Sequence, residues 1–231
     1  MKVFAIGDIH LAGDGDKPMD IFGQRWLNHV DSLTQNWVQL IHKEDIVLIP
    51  GDISWAMKIN QAQKDLERIE NLPGQKICVR GNHDYWWDRP GKLNAAYQTT
   101  YFLQNKAYIL EDIAICGTRG WTCPNDISFT VEDDKIFKRE LIRLQLSLED
   151  AMQHQAREII VMLHYPPVYN RHDLSPIISL LKEYPVTQVV YGHLHDDLSW
   201  NEAIQGFCEG ITYHLVSADY LNFLPLLIKV L

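Results

Sequence analysis

Five short blocks of the chain end in residues that bind metal ions: Asp8-Ile9-His10, Gly51-Asp52, Gly81-Asn82-His83-Asp84, His164 and Gly192-His193-Leu194-His195. Asp8 and His10 are two residues apart. In extended chain that spacing turns both side chains to one face, where two groups can bind one ion. His193 and His195 repeat the spacing, and Gly192 lets the backbone approach closely. An isolated D-x-H is weak evidence, and Gly-Asp after a strand is often only a turn. Taken together and in this order, the blocks describe one site. Imidazole and carboxylate donors with one amide oxygen suit borderline first-row ions such as Mn²⁺, Fe²⁺/Fe³⁺, Zn²⁺, Co²⁺ or Ni²⁺. A closed structural zinc cage, usually rich in cysteine, fits this donor set poorly.

Such residues act together only if the fold delivers them to one place. Almost every block follows a short apolar run: KVFAIG, DIVLIP, QKICVR, EIIVML or TQVVY. Runs of this length, rich in β-branched side chains, read as buried strands. Parallel strands bring their C-terminal ends to one edge of a sheet, where open α/β sheets bind ligands. The pattern predicts strands at about 2–7, 45–49, 76–80, 107–110, 113–117, 158–163 and 187–191. Helices are predicted at about 24–43, 59–71, 133–155 and 175–183. The first carries Trp26, Leu27, Val30, Leu33, Trp37, Leu40 and Ile41 on one apolar stripe. The tail, 210–231, reads as two further strands, antiparallel. No repeat, low-complexity run or Pro/Gly/Ser linker marks a boundary, so residues 1–231 are expected to form a single domain.

At 231 residues the chain is long enough to bury a substantial core. Its net charge of −9 argues against extended binding to a nucleic-acid backbone, which needs a basic surface. No apolar run approaches the roughly 20 residues of a membrane span, and no signal peptide opens the chain. Cys78, Cys116, Cys123 and Cys208 show no C-x-x-C pairing and read as reduced, mostly buried thiols. These features point to the cytoplasm and leave the oligomeric state open.

The order D-x-H, GD, GNH(D/E), H and G-H-x-H, matched from residue 8 to 195, resembles the calcineurin-like metallophosphoesterase superfamily. The resemblance implies an α/β fold, a four-layer αββα sandwich of two mixed β-sheets flanked by helices, with the site at the sheet edge. It implies that Asp8, His10, Asp52 and His195 hold a first ion, and that Asp52, Asn82, His164 and His193 hold a second. Asp52 would then bridge the two. By the same resemblance His83 protonates the leaving group, and Asp84 orients its ring. An alkoxide leaving group needs that proton. Two divalent ions against the carboxylates of Asp8 and Asp52 leave surplus positive charge, suited to binding a phosphoryl group. Such a pair also generates a bridging hydroxide and clamps the oxygens of an in-line displacement. The expected substrate is a small phosphate ester, nucleotides included.

Departures from other branches narrow the choice. Ser/Thr protein phosphatases carry GDxVDRG, whereas this chain reads Gly51-Asp52-Ile53-Ser54-Trp55-Ala56-Met57 and lacks the arginine. The Arg80-Gly81-Asn82-His83 segment keeps that phosphatase as an alternative. A non-catalytic metal-binding scaffold is a second alternative, although it would leave the complete ligand set and His83 unexplained. The remaining reading is a bacterial-type phosphohydrolase, with a phosphodiester favoured over a phosphomonoester. Arg171 and His172, in a loop after His164, are candidates for clamping phosphate. Trp55, Tyr85, Trp86 and Trp87 follow metal blocks and are candidates for stacking an aromatic leaving group, with packing as the competing role. His29, His42, His154 and His214 read as structural or solvent-facing.

Overall fold

The apolar runs become the inner strands of two mixed sheets, one in each of two compact units. The computed structural model describes residues 1–13, 19–124, 126, 128–169 and 175–231. In chain order the strands are β1 (Lys2–Ala5), β2 (Ile46–Ile49), β3 (Gln75–Cys78), β4 (Thr100–Phe102), β5 (Tyr108–Leu110), β6 (Ile113–Thr118), β7 (Glu158–Leu163), β8 (Val186–Tyr191), β9 (Gly206–Cys208), β10 (Ile211–Leu215) and β11 (Leu226–Val230). The helices are α1 (His29–Leu40), α2 (Ile59–Asn71), α3 (Pro90–Asn94), α4 (Val131–Gln153), α5 (Pro176–Leu181) and α6 (Asp197–Glu202).

The first unit comprises residues 1–102 and 216–231. Its sheet runs β11-β1-β2-β3-β4, parallel except for β11, which lies antiparallel to β1. Every residue of β2 is buried, as expected of an inner parallel strand covered on both faces. The core that joins sheet and helices contains Phe4, Val47 and Ile49 from the strands, Leu33 and Trp37 from α1, and Leu66 and Ile69 from α2. The Trp37 indole N–H is not orphaned by this burial, because it donates to the Pro73 carbonyl at 2.9 Å.

The second unit is residues 103–215, with sheet order β5-β6-β7-β8-β10-β9. β6, β7, β8 and β10 are parallel, and β5 and β9 are antiparallel edges. The long helix α4 buries Phe137, Leu144, Leu148 and Ala151. It begins at a capping box in which the Thr130 hydroxyl accepts from the Asp133 N–H and the Asp133 carboxylate accepts from the Thr130 N–H.

Three expectations are corrected. The helix read at 24–43 starts later: Gln24–Trp26 is a 3₁₀ turn, and Asn28 at φ 54° is left-handed and cannot continue a helix. The two tail strands do not pair with each other. β10 joins β8 in one sheet, and β11 joins β1 in the other. The short elements β4, β9, α3 and α6 were not foreseen. No described helix is long and apolar enough to cross a membrane.

Candidate metal centre

In the first unit, β1, β2 and β3 end at the Asp8, Asp52 and Asn82 loops. The first two loops are zipped together: the N–H groups of Asp8, His10 and Leu11 donate to the carbonyls of Gly51, Asp52 and Ile53, and the Trp55 N–H donates back to Leu11. Asp8, His10 and Asp52 are 0, 3 and 1% exposed. Asp8 offers ligand atoms within 4.8 Å of those of His10 and of Asp52. His10 Nε2 lies 3.8 Å from Asp52 Oδ2. Burying two carboxylates this close together is costly unless a cation compensates them.

The backbone at these residues is unusual. Asp8, His10 and Asp52 have φ of 53°, 51° and 53°, and His193 has φ of 75°. Left-handed backbone costs an ordinary residue roughly 1–2 kcal/mol. Four of the seven expected ligands adopt it, all of them Asp or His, which tolerate it better than most residues, and the concentration is typical of sites where structure serves chemistry. Gly81 adds a packing constraint. A Cβ there would fall 2.0 Å from Asp52 Oδ1 and 2.3 Å from the Asp52 nitrogen, so only glycine fits against this ligand.

Asp84 has a different task from the one expected. Its Oδ2 accepts from the N–H groups of Asp52 at 2.9 Å and Gly81 at 2.8 Å. Its Oδ1 accepts from Ile53 at 2.9 Å, Ser54 at 3.3 Å and the Trp86 indole at 3.0 Å. With five donors to serve, this fully buried carboxylate organises the Asp52 loop rather than the His83 ring. Burial first, and the Asp52 charge second, push its acidity towards the neutral form, and the N–H donors oppose them. Asp52 Oδ1 in turn accepts the His83 N–H at 2.8 Å, which fixes the backbone at His83.

The His83 ring is half-buried and lies 4.1 Å from the Trp55 ring, centroid to centroid, and 5.8 Å from His10. Trp55 also stacks on His10 at 4.9 Å and 22°, and Trp26 meets His10 edge-on at 5.6 Å. Two tryptophans thus hold the His10 ring in place. Trp86 is 2% exposed and spends its N–H on Asp84, so it has no face to offer a substrate. Trp87 packs on Trp86 and Phe102, whereas Tyr85 is 52% exposed near His83. Asn82 is half-buried. Arg171 and His172 lie outside the described residues.

In the second unit, His164 follows β7 and His193 follows β8. Their rings are 5.0 Å apart, and the Gly192 N–H donates to the His164 carbonyl. His164 is fully buried, His193 half-buried and His195 exposed. Behind His193 stands a stack that the sequence did not disclose. Tyr165 lies 4.1 Å from the His193 ring, Trp121 lies 5.1 Å from Tyr165, and the Arg119 guanidinium sits 4.4 Å above Trp121. The Arg119 carbonyl accepts both the His164 and Tyr165 N–H groups. The only sequence signal was the cluster of aromatics in Trp121 and His164-Tyr165, with no spacing rule to join them.

The remaining histidines do not join these groups. His29 and His214 are drawn towards the neutral form, in each case by burial. His29 faces the Trp26 carbonyl at 3.1 Å, and His214 faces Gln188 at 2.9 Å.

The donors of the first unit fit a transition-metal ion: carboxylate and imidazole, buried, and held by strained backbone with glycine cleared from their path. The calcineurin-like phosphoesterase family model matches residues 1–197. A probable cyclic nucleotide phosphodiesterase of Xenorhabdus bovienii is 20% identical over 212 residues, covering 87% of this chain and 81% of that protein. Among solved structures, a phosphopantetheinyl hydrolase from Mycobacterium tuberculosis aligns with a TM-score of 0.49 at 14% identity, over 98% of this chain and 95% of the other. A protein of unknown function from Aquifex aeolicus aligns over the same shares with a TM-score of 0.48 at 14% identity.

Proposed function

The chain belongs to the calcineurin-like phosphoesterase family, and on that footing we propose that it is a metal-dependent phosphohydrolase acting on a small phosphodiester. The carrying observation is the buried Asp8, His10 and Asp52 cluster with the half-exposed His83 beside it. The proposed ligand set is Asp8, His10, Asp52 and Asn82 from the first unit with His164, His193 and His195 from the second. They hold two ions, drawn from manganese, iron, zinc, cobalt or nickel. When bound, the ions supply positive charge to the phosphoryl oxygens and lower the pKa of water.

The chain's own groups do the rest. His83 is the proton donor to the departing alkoxide. Its backbone is tied to Asp52, so the acid and the ligand move as one piece. Asp84 keeps that piece in shape. Trp55 presses on both His10 and His83 and restricts their rotamers. A diester is preferred because the loop after Asp52 holds Ile53 to Met57 in place of the arginine that a protein phosphatase uses for its phosphate. The four cysteines form no disulfide among the described residues, which suits a reducing, cytoplasmic setting.

The test compares bis-p-nitrophenyl phosphate with p-nitrophenyl phosphate, using metal-stripped protein refilled with Mn²⁺. Turnover of the diester is expected to require metal and to vanish in Asp52→Asn. His83→Ala is expected to keep its metal while losing at least a hundredfold in rate. Equal rates for His83→Ala and the unaltered protein would remove the proton-donor role. Silence of the metal-loaded protein on both esters would favour a scaffold.

A further inference from the structure

Tyr165 is buried, and its ring touches both His164 and His193. The His193 ring lies 4.1 Å from it, centroid to centroid, tilted by 35°, and the His164 ring meets it edge-on at 5.4 Å. Aromatic rings ordinarily pack with centroids about 4.5–7 Å apart. At 4.1 Å, His193 cannot turn edge-on towards Tyr165 unless the tyrosine retreats. That retreat is resisted from behind. The Trp121 ring stands 5.1 Å from Tyr165, and its indole N–H donates to Asp133 Oδ1 at 2.8 Å in the first turn of α4. The Arg119 guanidinium covers Trp121 and lies 3.5 Å from the buried Glu140 carboxylate, which also accepts from Arg143 at 2.7 Å. Of the two histidines, His193 has the greater need of such a wall. It is half-buried on left-handed backbone, whereas His164 is fully buried. All these residues belong to the second unit.

We infer that Tyr165, backed by Trp121 and Arg119, is the positioning residue for His193 and governs how firmly one of the two proposed ions is held. The inference rests on the proposed metal-site reading, since it takes His193 as a ligand. An imidazole binds an ion through a lone pair in the plane of its ring, so a ring that swings is aimed away for part of the time. Ring packing narrows that swing before any ion arrives. Losing a group that orients a metal-binding histidine typically costs roughly 10–100-fold in metal affinity.

The test is a Mn²⁺ titration of the metal-stripped chain, followed by calorimetry and by the paramagnetic resonance signal of free Mn²⁺. Both count bound ions without reference to turnover. The unaltered protein is expected to bind two ions. Tyr165→Leu should weaken one of them by roughly 10–100-fold and leave the other unchanged. Tyr165→Phe should keep both, because the ring does the positioning. In a His193→Ala background, Tyr165→Leu should not alter the affinity of the ion that remains. Trp121→Leu supplies a second route, since Trp121 is only half-buried. It should weaken the same ion by a smaller factor. Unchanged affinities in both leucine variants would overturn the positioning role. Equal weakening of both ions would overturn it too, as the mark of a generally loosened fold. In either case, two ions held by the unaltered protein would leave the metal-site reading standing. No Mn²⁺ bound by the unaltered protein would overturn both.

Discussion

Asp84 shows what a single side chain can decide. Removing its carboxylate strands the N–H groups of Asp52, Ile53 and Gly81 and the Trp86 indole in a buried setting. Each unsatisfied buried donor costs about 1–3 kcal/mol. Asp84→Ala is therefore expected to lose at least about 3 kcal/mol in urea unfolding and to bind Mn²⁺ more weakly, because the loop that carries Asp52 loosens. A stability change under about 1 kcal/mol would contradict the clamp. Gly81→Ala is expected to be as damaging for a steric reason, since its methyl group would occupy the space of Asp52 Oδ1. The ligand types and their spacing were legible in the sequence, because a few donor chemistries at strand ends leave little choice. The left-handed backbone at Asp8, His10, Asp52 and His193 was not. No glycine or asparagine stands at those positions to signal it, and their conformation is imposed by the neighbouring loops. The clamp role of Asp84 was hidden for a similar reason: three of its partners are backbone N–H groups of Asp52, Ile53 and Ser54, thirty or more residues away, which carry no side-chain signature.

At the scale of elements, Lys76 in β3 is an unusual residue. It is fully buried, and its ammonium donates to the carbonyls of Glu70, Leu72 and Gly74 and to the Thr99 hydroxyl. It therefore ties the end of α2 to the start of β3. Burial pushes its pKa down from 10.5 to about 8, and the Glu70 charge opposes the fall. Below pH 8 both native and unfolded chains hold this proton. Between about 8 and 10.5 the unfolded chain still holds it while the native chain has released it. The native state thus gains stability from this group as pH rises through that window. The urea midpoint of the unaltered protein, minus that of Lys76→Met, is expected to climb between pH 7.5 and 10. A flat difference would show that the four acceptors hold the ammonium at its ordinary acidity, and a falling one that they raise its pKa. A simpler expectation concerns α4, where Thr130→Ala should cost about 1 kcal/mol through loss of the capping box, read by the same unfolding assay. The long, periodic elements α2, α4, β6 and β7 were legible because their apolar pattern repeats. The three-residue strands β4 and β9 were too short to show a period, and the partners of β10 and β11 depend on contacts far along the chain.

For the molecule as a whole, metal bound by the proposed ligands should add to the stability of the folded chain. Ions that bind the native state at a hundredfold excess over their dissociation constant contribute about 2.7 kcal/mol per site, or roughly 5–10 °C for a chain of this size. Stripping the protein with chelator and refilling it with Mn²⁺ is expected to lower and then restore the melting temperature by that order. No change on refilling would argue that the buried carboxylates meet some other need. The fold class was legible because alternating strands and helices leave few arrangements. The division into units was not, because the first unit is built from two segments separated by the whole of the second.

That interruption sets a timetable for synthesis. β1 to β4 leave the ribosome early, but β11, which covers the outer edge of β1, is 124 residues behind β4. At 5–20 residues per second the β1 edge stays open for roughly 6–25 s, with its N–H and C=O groups unpaired. The second unit, being continuous, can complete itself during that wait. A nascent chain stalled before β11 would therefore carry one finished body and one sticky edge, and newly made copies on the same message would be the neighbours most able to pair with it.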